Sequence, residues 1–438
     1  MNVKTQIQLS DHFTYGKLLR FVFPSIIMMI FTSIYGVVDG LFVSNFAGKT
    51  SFAAINLIMP FVMVLGGIGF MIGTGGTALV SKVLGEREPE KANRYFSMMI
   101  LFTVIVGVLL TVFGVTFMEP VALFLHATPE MLPDCVLYGR IVIGFTTAFM
   151  LQNVFQSFLI AAEKPKLGLA ATVAAGVTNM ALDALFIAGF HWGVAGAAIA
   201  TISSQFFSAC MVVYALTHTE DMYKLVWSKV RIDGRMLQRI VRIGIPAGMQ
   251  SVMYNISNII IQSGVNTLGT DNVTAWATYG KVDGLYWMMI NALGISATTF
   301  VGQNYGAGRM DRVHKGAGAC MIIGTIMTAI VSTLLYLKGY LLIDLFTSDA
   351  QVQEIGLSLI HFLVPTLITY ITIEILSGTL RGVGDAWMPL IMTGIGVCCL
   401  RVIWIIFFLP QYRSILAAAF CYPLSWIITS IAFVIYFF

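Results

Sequence analysis

Apolar residues run along this chain in blocks too long for a soluble core. An α-helix needs about 20 apolar residues to cross a bilayer. Blocks of at least that order fall near 18–44, 52–80, 95–118, 134–161, 168–190, 193–216, 237–268, 272–301, 316–337, 352–380, 387–409 and 413–437. A membrane barrel would show alternating segments of roughly 10 residues instead, and the chain has none of that pattern. The pattern predicts an all-α membrane protein of twelve transmembrane helices. Most connections are short, which forces neighbouring helices to run antiparallel.

The polar and small-residue punctuation is written twice. Pro24 in Phe-Pro-Ser returns as Pro246 in Ile-Pro-Ala, offset by 222 residues; Gly48, Gly73 and Gly85 return as Gly269, Gly294 and Gly306, offset by 221. Each copy holds six predicted spans, so both enter the membrane from the same side. Their pseudo-twofold then runs along the membrane normal, and two six-helix lobes face a central cleft. Secondary transporters with such repeats hold cargo near the bilayer midplane. One longer polar stretch separates the copies. The expected division is an N-terminal lobe over 1–216, a linker over 217–236 with an amphipathic surface helix, and a C-terminal lobe over 237–438.

Composition supports the lipid setting. The 438 residues are 58% hydrophobic and 11% charged, with mean hydropathy +0.86; a soluble domain carries roughly 25% charged residues. The basic residues are distributed unevenly. Lys4, Lys17, Arg20, Lys82, Arg87, Lys91, Arg94, Lys164, Lys166, Lys224, Lys229, Arg231, Arg235, Arg239, Arg242, Arg309, Arg312, Lys315 and Arg381 fall on the side of the N-terminus, and only Lys49, Lys338 and Arg413 on the other. By the positive-inside rule both termini are cytoplasmic, in a plasma (inner) membrane. The net charge of +4 follows from those loops and implies contact with anionic headgroups, not nucleic acid. The first residues are polar without a cleavage signal, so the first span reads as an uncleaved anchor. The six cysteines are scattered and imply neither disulfides nor zinc.

The segments Val301-Gly-Gln-Asn-Tyr-Gly-Ala-Gly308 and Gly193-Val-Ala-Gly-Ala-Ala-Ile-Ala-Thr201 resemble signatures of multidrug and toxic compound extrusion (MATE) transporters of the prokaryotic branch. The resemblance covers nearly the whole length, including the paired lobes and the linker.

Two carboxylates lie well inside predicted spans. Asp39 is in Tyr35-Gly-Val-Val-Asp-Gly, and Asp183 in Asn179-Met-Ala-Leu-Asp. An Asp at a helix centre costs on the order of 2.5–3.5 kcal/mol on insertion scales and is functional by default. Counting about 1.5 Å per residue, Asp39, Asp183, Asn179 and Thr201 reach similar depth in the outer half of the first lobe. Two carboxylates meeting in low dielectric favour capture of a proton or a hard cation. The alternative is that these residues only fix helix packing, or that Thr201 back-bonds to its own helix. The MATE resemblance implies a cation site on Asp39, Asn179, Asp183 and Thr201, and a bending role for Pro24.

The second copy lacks this set. Asp39 aligns with Ile260 or Ile261, Asn179 with Arg401 and Asp183 with Ile405. Its own intramembrane charges are Lys281, Asp283, Glu374 and Arg401. They read either as an internal salt-bridge set or, for the two acids, as groups that attract cationic cargo. Candidate cavity residues are Tyr35, Tyr138, Met253, Tyr254, Asp283, Trp287, Met288 and Glu374. The aromatic rings suit cations and the thioethers suit varied apolar surfaces.

The expected function is a monomeric antiporter coupled to H⁺ or Na⁺, without a cofactor. It exports amphipathic, cationic small molecules by alternating access. No Gly-x-x-x-x-Gly-Lys-Ser/Thr segment is present for ATP. A flippase for lipid-linked saccharides, from a related superfamily branch, is the alternative; its cavity is more basic. A membrane-embedded transferase requires an acidic metal cluster or a positioned His, and the six histidines are dispersed. The chain is therefore not expected to be an enzyme.

Overall fold

A computed structural model describes residues 15–43, 46, 49–125, 127–161, 164–218, 233–347 and 349–437. Within them the chain is helical throughout, without a strand. The helices are α1 (Tyr15–Phe42), α2 (Lys49–Gly85), α3 (Pro89–Thr116), α4 (Met118–Phe124), α5 (Leu132–Gly144), α6 (Thr146–Ala161), α7 (Pro165–Asp183), α8 (Gly193–Thr217), α9 (Gly234–Asn266), α10 (Thr270–Gly306), α11 (Met310–Phe346), α12 (Ala350–Leu363), α13 (Ile371–Val383), α14 (Trp387–Thr393), α15 (Leu400–Ile403), α16 (Leu409–Tyr412) and α17 (Ile415–Phe437).

Among the described residues nine helical stretches are long and apolar enough to cross a membrane, and α5 with α6, bent by 55°, make a tenth. The first expected span corresponds to α1, whose apolar stretch Val22–Thr32 is shorter. The seventh corresponds to α9, which carries Arg235, Arg239, Arg242, Gln250, Asn255, Asn258 and Gln262 and is too polar to register by composition. Several spans are not single α-helices. A 3₁₀ turn, Val364–Thr369, joins α12 to α13, and π-helical turns interrupt the spans at Ala184–Gly189, Gly394–Cys399 and Trp404–Phe408.

Local chemistry sets the helix ends. Pro89 begins α3, where its missing N–H costs nothing. Asp349 caps α12 by accepting from the Gln351 and Val352 amides. Gly384, in the left-handed region at φ 99°, closes α13.

The chain forms two compact units, one containing Arg20–Gly244 and the other the described residues from Ile245 onward together with 15–19. The boundary between the two packed units falls inside α9; of the linker expected at 217–236, residues 219–232 lie outside the described residues. The physical cause is close packing of the start of α9 on α2. A Cβ at Gly75 would strike the Ile240 carbonyl and the Gly244 amide, and one at Gly244 would strike the Met71 carbonyl. Small residues allow two helix backbones this approach in lipid. In the first unit α2 packs on α3 and α6, and α7 on α8; in the second, α10 packs on α11 and α13.

Candidate functional site

The first-half acids come together through helix direction. α1 and α7 run the same way through the membrane, and Met28 of α1 lies against Gly168 of α7. From that contact Asp39 is about 16 Å and Asp183 about 22 Å further along by the helical rise. Their side chains end within hydrogen-bonding reach of one another. Ionised carboxyls are both acceptors, so this contact becomes a hydrogen bond only with a proton between them.

No side chain or backbone group among the described residues supplies that donor. Asp39 Oδ1, both Asp183 oxygens and Asn179 Oδ1 are buried without a partner. Asp183 is 0% and Asn179 2% exposed, while Asp39 is half-buried. Asn179 and Asp183 share a face of α7 because they are four residues apart. Asp183 is the last residue of α7 before the π-helical turn Ala184–Gly189. Buried acceptors without donors are rare in folded proteins. Two neighbouring carboxylates with an amide oxygen one turn from Asp183 are the donor types that suit a hard monovalent cation or a proton.

Thr201 is half-buried on α8, which packs on α7, and its carbonyl accepts from Ser204 Oγ at 2.8 Å. Tyr138, expected along the cargo path, is 1% exposed and sits in electrostatic range of Asp39 and Asp183. Pro24 is buried within α1. Tyr35 lies on α1, and its side chain is outside the described residues.

The second-half candidates form two connected groups. Asp283 accepts from Trp287 Nε1, four residues on, through Oδ2, near Tyr279, four residues back, while its Oδ1 is buried without a partner. Trp287 meets Tyr370 edge-on at 4.6 Å between centroids. Glu374 pairs with Arg381 at 3.6 Å and accepts from the Tyr370 hydroxyl at 3.1 Å. Arg381 donates to Gln250 at 3.4 Å, and Gln250 to Thr393 at 3.1 Å. Tyr254 completes this group beside Tyr370. Met253 fills space over Gly394, and Met288 is half-buried on α10.

Three expectations change here. Lys281 is exposed, on a different face of α10 from Asp283, and is no buried charge. Arg381, counted as a loop residue, is half-buried in the last turn of α13 and holds Glu374. Glu374 is therefore already neutralised by a partner. Sequence reading missed Tyr279, Tyr370, Arg381, Tyr422 and Trp426. The spacings were available: Tyr370, Glu374 and Arg381 are four and seven residues apart, which is one helical face.

Among the described residues no group of three or more His, Cys, Asp or Glu side chains could hold a metal. The six cysteines are free.

A family model, MatE, matches residues 24–185 and again residues 246–407. The two matched segments begin at Pro24 and Pro246 and are offset by 222 residues at both ends, so the repeat lies in the family itself. The chain belongs to the MatE family. As a MatE protein it is a multi-pass membrane transporter, of a kind that works without a cofactor and is not an enzyme. The multidrug export protein MepA of Staphylococcus aureus (strain NCTC 8325 / PS 47) is 23% identical over 373 residues, covering 85% of this chain and 82% of that protein. A structure described as the outward-facing conformation of a multidrug resistance MATE family transporter aligns with TM-score 0.93 at 21% identity, over 100% of this chain and 98% of that one. A MOP superfamily transporter from Pyrococcus furiosus, described as having a binding pocket of reverse polarity that suggests a different function, aligns with TM-score 0.92 at 20% identity, over 100% of this chain and 98% of that one. These likenesses give this MatE chain the same fold.

Proposed function

We propose that this MatE chain is a cation-coupled multidrug exporter. Asp39 and Asp183, with Asn179 and Thr201, bind H⁺ or Na⁺ in the first half. Ion entry there switches the side of the membrane to which the cargo path opens, and Pro24 is the point at which α1 bends. The cargo is an amphipathic, cationic small molecule. Asp283 with its aromatic neighbour Trp287 attracts it, and Tyr254, Met253 and Met288, with the Arg381-paired Glu374, line its path. The protein works as a monomer in the cell membrane with both termini cytoplasmic, without nucleic acid. Residues 1–216 and 237–438 act as its two lobes, joined by 217–236.

The observation that carries this reading is the buried acid pair without a donor. Leaving such groups unpaired is costly, so an occupant from solution relieves them, and its arrival carries the energy of an ion gradient. The multidrug export named for MepA supports the cargo class. The test is efflux of a fluorescent organic cation from vesicles under an imposed pH or Na⁺ gradient. Asp39→Asn and Asp183→Asn each remove a charged ligand worth about 1.5–3 kcal/mol and are expected to lower gradient-driven efflux by about 10-fold or more. Unchanged gradient dependence in both variants overturns the ion site.

A further inference from the structure

Arg401 is the largest charge buried in the second half, at 2% exposure. Among the described residues no carboxylate lies within ion-pair distance of it. Asp283 acts on it only at longer range. What holds it is a π face and a hydroxyl. Its guanidinium carbon is 4.0 Å from the centre of the Tyr422 ring and 5.8 Å from that of Trp426, and Nε donates to Ser425 Oγ at 3.0 Å. Nη2 has no partner. An aromatic face in a desolvated place is a binding surface for an organic cation, and here the cation belongs to the chain.

Its position in the repeat gives this a meaning. At the family's offset of 222, Arg401 corresponds to Asn179 and Ile405 to Asp183. The burial pattern agrees in the same register: Asn179, Asp183 and Ile187 are buried with exposed positions between them, and so are Arg401, Ile405 and Leu409. A π-helical turn follows Asp183 at Ala184–Gly189, and another follows Arg401 at Trp404–Phe408. On the next helix Ala197, Ala198, Ala200 and Ser204 match buried Ala418, Ala419, Cys421 and Ser425, at an offset of 221. That register puts Tyr422 where the first half has Thr201.

The exchange is concerted. Each of the two acids becomes Ile, the amide becomes guanidinium, and the hydroxyl becomes a ring that faces it. We propose that Arg401 is a tethered cation that permanently fills the second half's counterpart of the first-half ion site. Ion binding is thereby confined to the first half, and the second half keeps one charge state through the cycle. This rests on the ion-site reading for its meaning, though the occupancy of the cage by Arg401 charge is testable alone.

The experiment removes the tether and supplies the cation from solution. Arg401→Ala should lose stability and efflux, and methylguanidinium should raise its thermal midpoint and restore efflux several-fold, with no such effect on the wild type. Adding Tyr422→Leu to Arg401→Ala should abolish the rescue. Arg401→Met keeps the stem without the charge and should lower efflux about 10-fold, the scale of a cation–π contact. Equal response of wild type and Arg401→Ala to methylguanidinium, or wild-type efflux in Arg401→Met, overturns the proposal. Should Arg401→Ala fold only with methylguanidinium present, that too supports it. Failure of the Asp39 and Asp183 variants to change coupling would remove the ion site and leave this rescue standing; failure of the rescue would leave the acids untouched.

Discussion

At the scale of single residues, the first half is defined by what its buried oxygens lack. Asn179 Oδ1 is as isolated as the Asp183 carboxyl one turn away. An amide in that position adds a neutral ligand without adding charge, which favours a metal cation over a bare proton. Asn179→Ala is expected to weaken the apparent affinity for Na⁺ by about 10-fold, the size of one hydrogen bond to a charged group. The measurement is efflux against Na⁺ concentration at fixed pH. An unchanged midpoint would take Asn179 out of the ligand set. A similar height for Asp39 and Asp183 was to be expected from the sequence, because depth follows from counting residues along parallel helices. The exposure of Lys281 was not, since counting fixes height but not which side of a helix a residue faces.

Helix-level packing explains what the pattern of apolar residues could not give. α10 and α13 touch backbone to backbone. Thr298 Oγ1 donates to the Gly378 carbonyl at 2.9 Å, and a Cβ at Gly378 would press on the Gly294 carbonyl. Gly280, on the same α10, has open space beside it. Gly378→Leu should cost about 1–3 kcal/mol or more by overpacking. Gly280→Leu should be neutral or slightly stabilising, because Gly is a poor helix former. Thermal unfolding of the two purified variants compares them directly, and equal midpoints would show that the close approach carries no weight. The sequence announced these glycines but not their partners. It likewise gave twelve spans while hiding the 55° bend between α5 and α6 and the π-helical turns. Apolar periodicity survives one added residue in a turn, so a wide turn leaves almost no mark on composition.

Over the whole molecule, charge and length make one claim together. α11 has 37 residues and spans about 55 Å, well beyond the roughly 30 Å hydrocarbon core. Both of its ends must emerge into water. Arg309 caps its start, next to Arg312 and Lys315, and Lys338 lies near its far end; Arg309 and Lys338 are exposed. The bias of basic residues toward the Arg309 side is what supports the proposal that this end is cytoplasmic. Moving Arg381 from a loop into the last turn of α13 removes one charge from that side and leaves the bias intact. In a variant without the native cysteines, a Cys placed at Lys338 should react with a membrane-impermeant maleimide in intact cells. A Cys placed at Arg309 should react only after permeabilisation. The opposite labelling would invert the whole chain, since the short connections tie each span's direction to the next. The first-half acids, proposed to lie in the outer half of the bilayer, would then face the cytoplasmic side, and an inward ion gradient would reach them from the wrong compartment to drive export.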